Sequence, residues 1–405
     1  LPERPIRTDP NDFAPRIGIA YRLKETTVIR AGFGVFHALN TGGATLGSLT
    51  STLPYFVNAT VVSSNTTPQL FLNELFPTPD KVAGAVTSNQ DLSRRTGYLY
   101  QYNLTIQHQL RSNLLFETGY LGNTGHKQVG TVWVNQPRLP ENPEAPTPFA
   151  ARSPYPNLSP VFSQNTNYQW SNYNAGYVKL EQRFSAGLSF SAAYTYSKAI
   201  DSGGAGQNMY DRSTERGLAD NDVRHNFIGS WVYDLPVGKN RPVNIENSFF
   251  DAVIGGWQVN GIANFRTGMP YTISTANDIA NVSTGGQRAN STGLQPRKVD
   301  PRTNNLYGLD PAAYSTPARG QFGNLARNTQ PGFGANNWDF SAIKNFVIPP
   351  LGEQSKLQLR FEWFNVFNHT QFFNPAATQN VPATFGIVTA TADPRILQIG
   401  AKLYW

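Results

Sequence analysis

Apolar and polar residues alternate one for one through about eleven separate segments of this chain, and the gaps between the segments are by turns short and long. Phe13 to Arg22 sets Ile17, Ile19 and Tyr21 against Arg16 and Arg22, and Thr27–Phe36 gathers Ile29, Ala31, Phe33 and Val35 on one side. The clearest segment sets Tyr98, Tyr100, Tyr102, Leu104, Ile106 and Leu110 against Gln101, Asn103, Thr105, Gln107 and Gln109. Leu114–Gly122, Gln169–Phe184, Leu188–Ser197, Arg224–Leu235, Trp257–Arg266, Asn336–Ile348 and Lys356–Asn368 follow, and Leu397 to Trp405 ends the chain. A period of two belongs to strands, whose successive side chains point to opposite faces.

The gaps obey a parity. Lys24–Thr26, Arg111–Asn113, Ser185–Gly187 and Pro349–Gly352 are tight turns, and the link from Leu235 to Trp257 is of moderate length. Between them lie long polar stretches, up to about Thr96, up to about Asn165, the charged run before Arg224 and roughly Pro270 to Ala335, and a loop of moderate length after Asn368. Transmembrane barrels have short periplasmic turns and long extracellular loops. With the C-terminus periplasmic, every long gap falls outside and every short one inside. A soluble sandwich has no reason to sort its loops this way. Trp405, Trp257 and Tyr233 then lie near the periplasmic rim and Tyr98, Tyr196, Phe227 and Phe367 near the outer rim, as two interfacial aromatic belts require. The expectation is an all-β protein, a transmembrane antiparallel up-and-down β-barrel, with residues 1–405 as one barrel domain in a bacterial outer membrane. Composition agrees: only 15% of residues are charged and 12% are aromatic. Mean hydropathy is −0.39, and no apolar run reaches the ~18 residues of a membrane helix. Barrels escape that test because lipid-facing and lumen-facing residues alternate.

The last strand sharpens this. Leu397, Ile399, Ala401, Leu403 and Trp405 share a face, and Gln398, Gly400 and Lys402 take the other. The spacing of Gln398, Gly400, Leu403 and Trp405 resembles the C-terminal signal read by the outer-membrane barrel assembly machinery. An odd strand count leaves an edge that lipid does not tolerate. The chain starts Leu1, Pro2, Glu3 without a signal peptide, although barrels are exported. Both facts lead us to expect a piece of a longer protein.

Chemistry-bearing motifs are sparse. There is no cysteine, which excludes thiol catalysis and Cys-ligated metals. His37, His108, His126, His225 and His369 are isolated, without metal-binding spacing. No G-x-S-x-G is present. Ser283–Arg288 is Gly-rich but lacks a P-loop's lysine and reads as a flexible loop. The polar cluster Asp220–His225 reads as a strand start in which Asp and Arg neutralise one another. We expect no enzyme, metal or cofactor. The net charge of +7 is scattered rather than gathered into a basic run, which argues against nucleic acid as partner. The lumen-facing polar candidates are Gln101, Asn103, Gln107, Lys179, Glu181, Arg183, Gln258, Asn260, Arg266, Arg360 and Glu362. Polar walls suit any watery or plugged lumen. For ligand capture the long loops offer Tyr155, Trp170, Tyr210 and Tyr307, since loops on a rigid scaffold commonly carry binding.

Several segments in order carry a resemblance. They are Phe13-Ala-Pro-Arg-Ile-Gly-Ile-Ala-Tyr21, Thr27–Phe36, Glu117–His126, Ser191–Ile200, Ala219–Phe227, Gly256–Ile262, Trp338–Ser341, Arg360–His369 and the C-terminus. Together the chain resembles the C-terminal half of a TonB-dependent outer-membrane receptor, nearest the Oar-like receptors with an N-terminal carboxypeptidase-regulatory-like domain. The resemblance implies half of a barrel of about 22 strands. It also implies a plug absent from this chain and coupling through that plug to TonB–ExbB–ExbD. It implies active uptake of a large scarce ligand: siderophore, cobalamin, oligosaccharide or peptide. The alternatives are a passive porin-like barrel of about twelve strands and a surface receptor or adhesin.

Overall fold

A computed structural model describes residues 9–38, 88–91, 93–295, 297–348, 350 and 355–405. Eleven long strands form one sheet: β1 (Arg16–Lys24), β2 (Thr27–His37), β3 (Tyr98–Arg111), β4 (Leu114–Trp133), β5 (Ser163–Ser185), β6 (Leu188–Asp201), β7 (His225–Asp234), β8 (Trp257–Arg266), β9 (Ala335–Val347), β10 (Lys356–Phe364) and β11 (Ile396–Tyr404). Each pairs antiparallel with the next in chain order. This is the up-and-down meander that the alternation predicts. Among the described residues β1 and β11 each have one long-strand neighbour and do not pair with one another.

The register carries each face unbroken across the sheet. One row runs Tyr21, Ile29, Ile106, Thr118, Val178, Tyr194, Phe227 and Phe265. Another runs Val259, Ala342, Phe361 and Ile399. Large apolar side chains stand exposed on this face, with Ile399 at 76%. Water is a poor partner for such a surface, which is far more extensive than single exposed leucines. Trp231 lies flat across Gly261, where a Cβ would come within 2.1 Å of the indole. The opposite face runs Gln107, Glu117 and Lys179, and farther along Asn260, Ser341, Glu362 and Gln398.

The tight turns follow local chemistry. Ala186 and Gly187 have φ of 49° and 82°, the two left-handed residues of the hairpin turn that best matches strand twist. The Pro349–Gly352 turn lies largely outside the described residues. Where the long strands end differs from expectation. β4 runs eleven residues past Gly122, and β5 begins at Ser163 rather than Gln169. Residues 123–133 lack apolar alternation, and ladder bonds keep them extended, helped by side-chain bonds such as Thr131 Oγ1 to Asn165 Oδ1 at 2.7 Å. β10 stops at Phe364 rather than Asn368 because Asn365 and Asn368 take left-handed φ of 50° and 52°. Phe367 therefore lies just past the strand, with its ring 5.8 Å from that of Trp338.

Neither face of the sheet covers the apolar core. Ile273, Ala289, Leu309, Ala313, Tyr314, Leu325 and Phe385 form the buried cluster, and all lie in connections at the long-loop end. Those connections fold into a cap of their own.

Candidate functional site

All eleven polar positions picked from the sequence fall on one face of the sheet by register. The structure joins them in local groups rather than one centre. The Arg30 guanidinium donates to Gln107, whose amide donates to Glu117 Oε2 at 2.6 Å. Glu117 Oε1 accepts from the Tyr177 hydroxyl at 2.9 Å. Lys179 pairs with Glu181 at 2.6 Å, and Arg360 with Glu362 at 2.8 Å. Gln258 donates to Asp234 at 2.8 Å, and Asn260 to Ser341 at 3.2 Å. Charges here are mostly met by opposite charges or amides two residues away or across one strand. That costs little on a wet wall.

The cap is built by the connections 134–162, 202–224, 267–334 and 365–395, and buried polar side chains knit them together. Gln136 donates to Gln207 O at 2.7 Å and Thr284 Oγ1 at 2.8 Å, while Met209 N donates back to its Oε1 at 2.7 Å. Gln207 donates to Gly323 O at 2.8 Å and accepts from Arg288 N at 3.0 Å. Arg288 and Glu215, each about 2% exposed, form an ion pair, and Arg288 also donates to Thr214 O at 2.9 Å. Arg327 pairs with Asp201 and with Asp220, the latter at 2.8 Å. Asn380 exchanges two hydrogen bonds with Ala276, at 2.6 and 2.9 Å. Burial pushes the Tyr314 hydroxyl up to about 12, and the Asp310 charge adds to this. The same burial raises Tyr271 and lowers Lys298 and Arg327. Ser283–Arg288, read from sequence as a flexible loop, instead runs through the centre of the cap. Val282, Thr284, Gln287 and Arg288 are buried there. Asp222 accepts from Ala199 N at 2.6 Å and lies 3.5 Å from Arg224, the strand-starting role expected of that cluster.

Of the aromatic loop candidates, Trp170 is a correction: it lies within β5, inside the Gln169–Phe184 segment that the alternation itself predicts. Tyr155 is exposed at the cap, with its amide donating to Asn135 Oδ1 at 2.7 Å. The Tyr210 hydroxyl donates to Gln136 O at 2.7 Å, its ring lies 4.8 Å from the Arg138 guanidinium, and burial raises its hydroxyl. Tyr307 bridges Ile387 inside the cap. Tyr155 and Tyr210 are thus held by the adjacent residues Asn135 and Gln136. Trp405 stands 89% exposed past the end of β11. Gln398 and Gly400 lie on the polar face and Leu403 on the apolar one.

A cleft of about 540 Å³ opens where the polar face meets the cap. Arg266, Asn337, Asp339, Phe364 and Ile396 form its floor, and Met269, Phe333, Phe372, Phe373 and Asn374 its walls. Asp339 accepts from Asn365 N and from the Asn337 amide, both at 2.9 Å. The cleft thus offers a broad aromatic lining with one strand-held guanidinium and two carboxylates, Asp339 already committed to hydrogen bonds and Asp393 exposed. Such a site suits an amphipathic ligand. Sequence reasoning found Arg266 but missed the rest. Asp339 and Asn337 were available from the alternation around Trp338. Phe333, Phe372 and Phe373 carry no periodic signal.

Compared with known proteins, the chain matches the family model of the outer membrane beta barrel domain over residues 1–398. No curated protein matches it. Among solved structures it is similar to the outer membrane transporter YddB from Escherichia coli, at 9% identity and a TM-score of 0.50, covering 96% of this chain and 40% of that one. It is also similar to the FrpB iron transporter from Neisseria meningitidis, at 11% identity and a TM-score of 0.43, covering 96% and 38%. A third is the ferripyoverdine receptor of Pseudomonas aeruginosa, at 10% and 0.44, covering 96% and 32%. The chain therefore spans less than half the length of each of these.

Proposed function

Because the chain belongs to the outer membrane beta barrel domain family, we propose that it is the C-terminal part of the barrel of a TonB-dependent receptor that actively imports a large scarce ligand. The observation that carries this reading is the open meander. Eleven strands pair in order, yet β1 and β11 leave their outer edges without a long-strand partner among the described residues. Lipid does not tolerate unpaired ladder groups. Strands elsewhere in a longer protein would meet both edges and close a barrel of about 22 strands, wide enough to hold a plug. The plug would bring the TonB–ExbB–ExbD contact. An Oar-like receptor with its regulatory-like N-terminal domain fits the ordered sequence segments.

In this reading the short turns face the periplasm and the cap faces outward. The polar face lines the lumen and meets the plug. The cleft at Arg266 takes part of the ligand, with siderophore, cobalamin, oligosaccharide and peptide as candidate classes. Tyr155 and Tyr210 add aromatic surface at the cap. A passive pore is the weaker reading, since a cap with its own buried core obstructs rather than widens a mouth. The test is uptake of labelled candidate ligands by cells carrying the full-length protein, with and without a protonophore. Active import predicts accumulation that the protonophore abolishes and that Arg266→Ala weakens. Uptake indifferent to the protonophore would refute it.

A further inference from the structure

The link between β7 and β8 holds a helix, Ser248–Ile254, that is amphipathic the wrong way round for water. Phe249, Phe250, Val253 and Ile254 stand at positions i, i+1, i+4 and i+5 and so share one side of the helix. They are 71%, 55%, 51% and 51% exposed, and the helix buries no residue. Asp251, its one half-buried residue, faces the protein instead. Asp251 accepts from Lys239 N at 2.7 Å, and Asn247 caps the first turn by accepting from Phe249 N and Phe250 N. A surface helix in water turns its apolar stripe toward the core.

The helix is strapped to the apolar face of the sheet. The Trp257 indole donates to Val253 O at 2.9 Å. Lys344, which pairs with Trp257 in the register of that face, donates to Asp251 O at 3.0 Å and to Gly255 O. The Trp257 ring lies 5.9 Å from that of Phe361. The exposed helix side is thus continuous with the surface that carries Val259, Ala342 and Ile399. Lys239 and Arg241 stand exposed beside it, with Glu246 as the opposing charge.

We propose that this helix lies in the membrane interface at the short-turn rim, with Phe249, Phe250, Val253 and Ile254 inserted among phospholipid chains and Lys239 and Arg241 at the headgroup phosphates. The occupant is lipid rather than a protein partner because the patch continues a surface that lipid already covers and is flanked by cations that anionic headgroups attract. It would act as a fixed float that sets the depth of β7–β9 in the bilayer.

The test uses spin labels on the full-length protein reconstituted in vesicles of phosphatidylethanolamine and phosphatidylglycerol. Phe250→Cys and Ile254→Cys are compared with Ile399→Cys as a lipid-facing control and Lys239→Cys as a headgroup control. Retained heat-modifiable gel mobility verifies that each variant is folded. The expected result is an oxygen-to-nickel-chelate accessibility ratio at 250 and 254 several-fold above that at 239 and close to that at 399. A ratio at 250 and 254 no higher than that at 239 would place this helix side outside the acyl chains. An immobilised label open to neither reagent would reveal protein contact, such as a second copy. Either result overturns the proposal, and the Ile399 control separates its failure from failure of the barrel reading.

Discussion

The buried pair Arg288–Glu215 gives the cap its sharpest test. Both side chains are about 2% exposed, and the pair joins the 202–224 and 267–334 connections. Glu215→Ala leaves the guanidinium buried with only the carbonyls of Thr214 and Leu325 as acceptors. Removing one partner of a buried ion pair costs roughly 3–5 kcal/mol, because the stranded charge has lost its counterion and has no water. Each 1.4 kcal/mol is about tenfold in an equilibrium. The cap should therefore open at least about a hundredfold more often, while the sheet, which does not depend on the pair, stays intact. Amide hydrogen exchange on the full-length protein in vesicles reads this directly. Peptides covering 205–218 and 284–328 should lose protection, and those in β9–β11 should not. The double variant Glu215→Leu with Arg288→Met should recover much of the protection, since an apolar pair leaves no buried charge. Exchange in Glu215→Ala within about threefold of the parent, well under one tenfold step, would mean that the pair is solvated and that the connections do not form a packed cap.

Other outcomes follow from the two faces and the cap. Ile399→Arg on the apolar face should cost about 2–4 kcal/mol if it lies near mid-bilayer, and Gln398→Arg next to it close to nothing; urea midpoints in vesicles compare them, and equal costs would contradict the facing. Gly261→Val should displace the Trp231 indole and cost roughly 1–3 kcal/mol, seen as a lower melting temperature and altered tryptophan emission. Tyr314 ordinarily ionises near 10.0 and is held up to about 12 in the folded cap. The unfolded chain loses that proton first, so cap stability from this group is complete below about pH 10 and lost as pH rises toward 12. Absorbance at 295 nm should show late-titrating tyrosines, of which Tyr314→Phe removes one.

The sheet was legible because its physics is periodic. Ile17, Ile19 and Tyr21 against Arg16 and Arg22 fix a face, and the antiparallel register passes that face from strand to strand. The cap was not legible, because its folding has no period. Ile273, Leu309 and Phe385 meet from distant points in the chain, and Gln136, Gln207, Gln287 and Arg288 look like solvated loop residues until their partners are seen. Trp170 stands one residue inside the predicted strand, and β5 begins six residues before that strand. Outside the lipid band both faces of a strand are polar, so a ladder can continue where alternation has stopped. For the candidate site, strand residues such as Arg266 were within reach of the sequence, and the phenylalanine walls that make it a cleft were not.

The central claim, that these strands are part of a larger closed barrel with the polar face inward, is tested most directly by a cryo-electron microscopy structure of the full-length protein in a lipid nanodisc. The account predicts that β1 and β11 each hydrogen-bond to a strand from outside this chain, with Glu117, Lys179 and Arg360 inside the wall and Ile399 against lipid. A barrel closed by β1 pairing directly with β11 would contradict it.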